Sequence, residues 1–141
     1  MRTLEEKRKH LRHLDYEVTM LHHCYPEIAK REPSEDRNVY IECFALHARA
    51  LYEFLVSHSP RGLNAVAHDF IADFEPSDTD NSVRDVIKKI EDQILHIGWE
   101  RTEHHRLKFD ADAEGARILN WIDGWFIYFW ARLPGEYLDP P

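Results

Sequence analysis

The chain has 141 residues, 43% of them apolar and 31% charged, which is the balance of one globular domain long enough to bury a core. A formal net charge of −8 argues against broad, sequence-independent binding to nucleic acid or to an anionic membrane, and leaves room only for a local basic patch. The most apolar run, Ile118 to Leu133, is broken by Asn120, Asp123, Gly124 and Arg132, so no membrane span is expected.

A first helix is predicted over Thr3 to Tyr25, because Leu4, Leu11, Leu14, Val18, Leu21, Tyr25 and Ile28 recur at spacings of three, four and seven. Pro26 lacks an N–H and should kink or break it. After a polar stretch around Pro33, a second helix runs from Glu35 to Ser57 with a stripe of Ile41, Phe44, Ala48, Leu51 and Leu55. A long connection follows, Gly62 to Asp80, whose Val66, Phe70, Ile71 and Phe74 should pack down as a short helical turn. The third helix starts at Asp80-Asn81-Ser82 and carries Val83, Ile87, Ile90, Ile94 and Ile97. The last is capped by Asp110 or Asp112 and stopped at Pro134-Gly135.

No segment alternates with the period of two that marks a half-buried strand. The fold class is therefore all-α: residues 1–141 form one domain, a mostly antiparallel bundle of four to five helices with a long connection between the second and third. The last helix is apolar almost all round. Ile118, Ile122, Trp125, Phe126, Phe129 and Leu133 supply one buried face, and Trp121, Tyr128 and Trp130 cover much of the rest. Such a helix is central or shared, which points to a homodimer or a protein partner bound through Trp121, Trp125, Tyr128 and Trp130.

Cys24 and Cys43, in helical segments with apolar neighbours, read as small buried hydrophobes of a reducing compartment. With a charge-dense opening from Met1 to Arg12 in place of a signal peptide, this suggests a cytoplasmic protein. Ten histidines raise the question of metal binding. His10, His13 and Glu17 can share a helix face, but no Glu-x-x-His, His-Glu-x-x-His or zinc-type Cys/His spacing occurs, so neither metal nor cofactor is expected. Gly-rich phosphate loops and a Gly-x-Ser-x-Gly elbow are missing as well.

The constellation with most chemical promise joins the second and third helices: His47 and Arg49 on one, His96 and Arg101 on the other. A histidine titrates near neutrality and a guanidinium holds a phosphate with two hydrogen bonds, so the four together suit a phosphodiester. The competing reading pairs Arg49 with Glu53 at i+4 and leaves the histidines to satisfy buried polar groups.

The pattern Asn38-x3-Glu42-x-Phe44-x2-His47-Ala48-Arg49-x-Leu51-x2-Phe54-Leu55, followed by Ile94-x-His96-x4-Arg101, resembles a group of small uncharacterised bacterial all-α proteins. More remotely the architecture is similar to HEPN domains. That resemblance implies a helical bundle, often dimeric, and in many members a metal-independent ribonuclease of toxin or defence systems with an Arg-x(4–6)-His motif at the dimer interface. Here the order is His96 then Arg101, the reverse of that motif. The expectation is an RNA- or nucleotide-binding bundle, with His96 or His47 as base and Arg49 and Arg101 stabilising charge on phosphorus; the alternative is a non-catalytic, dimeric protein-interaction module.

Overall fold

The computed structural model describes residues 2–58, 64–78, 81–95 and 108–138. Among them are four α-helices and no strand: α1 (Leu4–Ala29), α2 (Glu35–Val56), α3 (Ser82–Ile90) and α4 (Ala113–Arg132). Short 3₁₀ turns lie at Ala67–Asp69 and Gly135–Tyr137. The all-α bundle expected from the periodicity is the observed architecture.

Helix starts are fixed by side chains that accept from otherwise unpaired N–H groups. At α1 Thr3 and Glu6 form a reciprocal pair, the Thr3 hydroxyl accepting from the Glu6 N–H and the Glu6 carboxylate from the Thr3 N–H. Ser34 accepts from the Arg37 N–H at α2. At α4 the cap is Asp110, whose Oδ1 takes the N–H groups of Asp112 and Ala113, both at 3.0 Å. Asn81 opens α3 at φ 56°, a left-handed conformation that asparagine tolerates better than most residues.

Two elements differ from expectation. The first is α1, which continues through Pro26 to Ala29. Proline removes one hydrogen bond, and the turn beyond it is held from outside. Ile28 is buried, the Arg31 guanidinium donates to the Glu27 carbonyl at 2.8 Å, and that of Arg37 donates to the Ile28 carbonyl at 3.2 Å. The second is α3, whose α-helical ladder ends at Ile90 and passes into a π-helical turn, Glu91–Leu95. The expected continuation towards Ile97 lies outside the described residues.

α1 and α2 pack as an antiparallel hairpin: Cys24 faces Cys43, Glu17 faces His47, and His10 faces Phe54, so the pairing runs in opposite directions along the two helices. Their inner faces, with Leu21, Ile28, Phe44, Leu51 and Leu55 fully buried, meet Val83, Val86 and Ile90 of α3 and Ile118, Ile122 and Phe129 of α4 in one core. The connection after α2 closes the structure, with Phe74 fully buried against the rings of Phe129 and Trp125.

The cysteines correct the sequence reading. Cys24 and Cys43 are joined in a disulfide that ties α1 to α2, with Cα atoms 6.3 Å apart. The antiparallel register brings the two positions together, a relation that helix periodicity does not encode. Disulfides belong mainly to oxidising compartments, so the cytoplasmic expectation loses its support from reduced thiols. No described helix is long and apolar enough to cross a membrane.

Candidate acid–base site

Two histidines of α1, His10 and His13, and His47 of α2 lie along the seam of the hairpin, whereas His22 turns to Asp123 of α4. His10, His13 and Glu17 occupy successive turns of α1 and line one side of a cleft of about 300 Å³. Glu53, Phe54 and Ser57 of α2 line the other side, and Asn64 to Val66 of the connection close its end. A cleft of this size is at the lower bound of small-ligand sites. Its floor of Leu14, Leu51 and Phe54 is apolar, and four of its polar side chains, His10, His13, Glu17 and Glu53, are titratable.

His47 enters this seam from α2. Its Nδ1 lies 2.5 Å from Glu17 Oε2, and the residue is 8% exposed. The ring of Tyr16 meets it edge-on at 6.3 Å. A carboxylate only accepts, so Glu17 holds the Nδ1–H tautomer and leaves the Nε2 lone pair available for a proton. This is the orienting arrangement found in acid–base sites that pair a histidine with a carboxylate. His10 packs beside the rings of Phe54 and Phe70, at 6.4 and 6.3 Å, the two phenyl rings being themselves 6.1 Å apart. Burial pushes its pKa below the usual histidine value, and the neighbouring His13 adds to the effect, so His10 is neutral at pH 7.

Arg49 does not join His47. Two positions apart on a helix, their side chains diverge by about 200°. Arg49 turns towards α3, where its Nε donates to Glu91 Oε1 at 2.8 Å and its Nη2 lies 3.8 Å from Glu53. The hydrogen bond to Glu91 raises its pKa further. Around it a second cleft, with Tyr52, Arg84 and Lys88, also carries Asp85 and Asp92, which makes it a balanced ionic surface and not a cationic one. The Arg49–Glu53 pair expected at i+4 is present, and the stronger partner is Glu91. His96 and Arg101 lie outside the described residues.

The α4 aromatics named as partner-binding are largely covered by their own chain. Trp121 donates from Nε1 to the Ser77 carbonyl at 3.0 Å and packs on the Tyr52 ring at 5.4 Å. Trp125 meets Phe74 and Tyr128, and Trp130 meets Phe129. Of the four, only Tyr128 is strongly exposed, at 44%, beside Ile127 at 72%. The connection after α2 covers Trp121 through Ser77 and Trp125 through Phe74, where the sequence reading assigned a partner.

Sequence reasoning found that His10, His13 and Glu17 share a face and that His47 flanks an apolar stripe. It missed that Glu17, on that face, both lines the cleft and meets His47 across the seam. Searches against protein-family models, characterised proteins and solved structures found no match to this chain.

Proposed function

We propose that the α1–α2 cleft is an acid–base site acting on a phosphodiester of RNA or a nucleotide, with proton transfer carried by histidines and no metal ion required. The observation that carries this reading is the Glu17–His47 contact: Glu17 lines the cleft together with His10 and His13, and His47 borders it through Glu17. His47 takes the proton of a ribose 2′-hydroxyl at Nε2, with Glu17 stabilising the imidazolium that forms. As the 2′-oxygen bonds to phosphorus, the bond from phosphorus to the 5′-oxygen breaks. His13, one turn from Glu17, gives its proton to that leaving oxygen; the products are a 2′,3′-cyclic phosphate and a free 5′-hydroxyl.

Lys9, exposed four residues before His13, supplies positive charge on the same side of α1 for the non-bridging phosphate oxygens. In this reading Arg49 supports helix packing through Glu91 and is not catalytic. The kinship to HEPN ribonucleases is likewise a proposal, concerning the bundle and the reaction class and not the placement of the motif.

The alternative, a non-catalytic dimeric interaction module, is favoured by the exposed neighbours Ile127 and Tyr128. The experiment is cleavage of single-stranded RNA in EDTA, with His47→Ala and Glu17→Gln as variants. A catalytically silent wild type that dimerises is the result expected of the alternative.

A further inference from the structure

One group of side chains stands apart from the α1–α2 cleft. His58 follows the end of α2, His68 lies in the 3₁₀ turn Ala67–Asp69, and Glu75 comes just after Phe74. Nδ1 of His58 is 3.7 Å and Nε2 of His68 is 3.8 Å from the same oxygen, Oε1 of Glu75. The two imidazole centroids are 4.8 Å apart, and the three donor atoms all lie within 4.8 Å of one another. Among the described residues this is the one such grouping of three.

The tautomer of His68 is fixed by its other nitrogen. Nδ1 is 3.0 Å from the Ala72 carbonyl, which can only accept, so the proton sits on Nδ1. Nε2 is left with a lone pair, and it is buried with no hydrogen-bond partner. A buried nitrogen without a partner is costly, and native structures fill such positions. A histidine whose far N–H is anchored on a backbone carbonyl is also the usual form of a metal ligand.

We propose that His58, His68 and Glu75 bind a divalent transition metal ion, with zinc the best match, and that the ion clamps the connection after α2 to the end of that helix. Two imidazoles and one carboxylate suit zinc and are poor ligands for magnesium or calcium, which favour all-oxygen shells. Tetrahedral bonds of about 2.0–2.2 Å place donors about 3.3–3.5 Å apart, so the two contacts to Glu75 need to contract by a few tenths of an ångström and the two imidazole nitrogens, up to 4.8 Å apart, by about 1 to 1.5 Å. His58 and Glu75, each 65% exposed, are free to make that adjustment, while His68 is held by Ala72. Water completes the fourth position. The clamp would act on the segment that carries Phe74 and Ser77 over α4.

The test is titration of EDTA-treated, dialysed full-length protein with Zn²⁺ by calorimetry, and with Co²⁺ by visible absorption. The expected result is one equivalent bound at about micromolar affinity or tighter, with a four-coordinate Co²⁺ spectrum. His58→Ala and Glu75→Gln, both at exposed positions that leave the fold intact, should each weaken binding at least about tenfold, and His68→Ala should abolish it. No binding by the wild type overturns the proposal. Because the chain has ten histidines, undiminished binding in His58→Ala and Glu75→Gln places the ion elsewhere and overturns it equally. The RNA assay in EDTA is independent of this result, so the two readings fail separately.

Discussion

Reducing the Cys24–Cys43 disulfide perturbs the molecule without deleting an atom from the core, which makes the expected effect simple to state. The bond closes a loop with a sequence separation of 19 between helices that already pack against each other. In the chain-entropy treatment, a loop of that length restricts the unfolded chain by about 3 kcal/mol at 25 °C. For a domain of this size that is a shift of about 10 °C in Tm, or between about 1 and 2 M urea in the unfolding midpoint. The assay is urea unfolding followed by far-UV circular dichroism, with and without a phosphine reductant, alongside a thiol count on the native protein. The reduced protein should keep its helical signal in water and unfold earlier, and the untreated protein should show no reactive thiol after denaturation. Equal midpoints, or two titratable thiols in the untreated denatured protein, would refute the reasoning.

Further expectations concern glycine and acid stability. Gly124 has nothing within 4 Å of where a Cβ would stand, so Gly124→Ala should stabilise α4 by about 1 kcal/mol through helix propensity alone. At Gly115 the same atom would meet the Tyr25 ring at 3.0 Å, and that ring is tethered by its hydroxyl to the Asp112 carbonyl; Gly115→Ala should therefore cost about 1 kcal/mol, and equal urea midpoints for the two variants would contradict the packing described. Hydrogen bonds from Lys30 and Arg31 hold the Glu27 carboxyl down to about 2 from an ordinary 4.5. Its stabilising contribution is thus complete above pH 4.5 and is lost as pH falls towards 2, and Glu27→Gln should flatten the acid limb of a stability–pH profile in that window.

Legibility from sequence followed the range of the interaction. Local signals were readable: the three- and seven-residue spacing of Leu11, Leu14, Leu21 and Ile28, the candidate cap at Asp110 and the shared face of His10, His13 and Glu17 all reappear in the structure. What depends on register between helices was not. Glu17 sits thirty residues from His47 and Cys24 nineteen from Cys43, and only the packed hairpin brings each pair together. Pro26 misled because the groups that rescue the helix end, Arg31 and Arg37, act from beyond it. The α4 aromatics looked surplus to a bundle because the packing of the connection over Trp121 and Trp125 rests on Phe74 and Ser77, which belong to no helix. His58, His68 and Glu75 escaped notice for a related reason: they span a helix end and an irregular segment with no repeating spacing.

The central claim is that the α1–α2 cleft, through Glu17 and His47, performs proton transfer on a phosphodiester. Its most direct test is single-turnover cleavage of a fluorogenic single-stranded RNA in EDTA by the wild type, His47→Ala, Glu17→Gln and Arg49→Ala, each first shown to be folded. The account predicts cleavage to a 2′,3′-cyclic phosphate by the wild type and a loss of about 10²- to 10⁴-fold in His47→Ala. It also predicts a smaller loss in Glu17→Gln, and near wild-type rates in Arg49→Ala. No cleavage by the wild type, or a His47→Ala protein as active as the wild type, would contradict it.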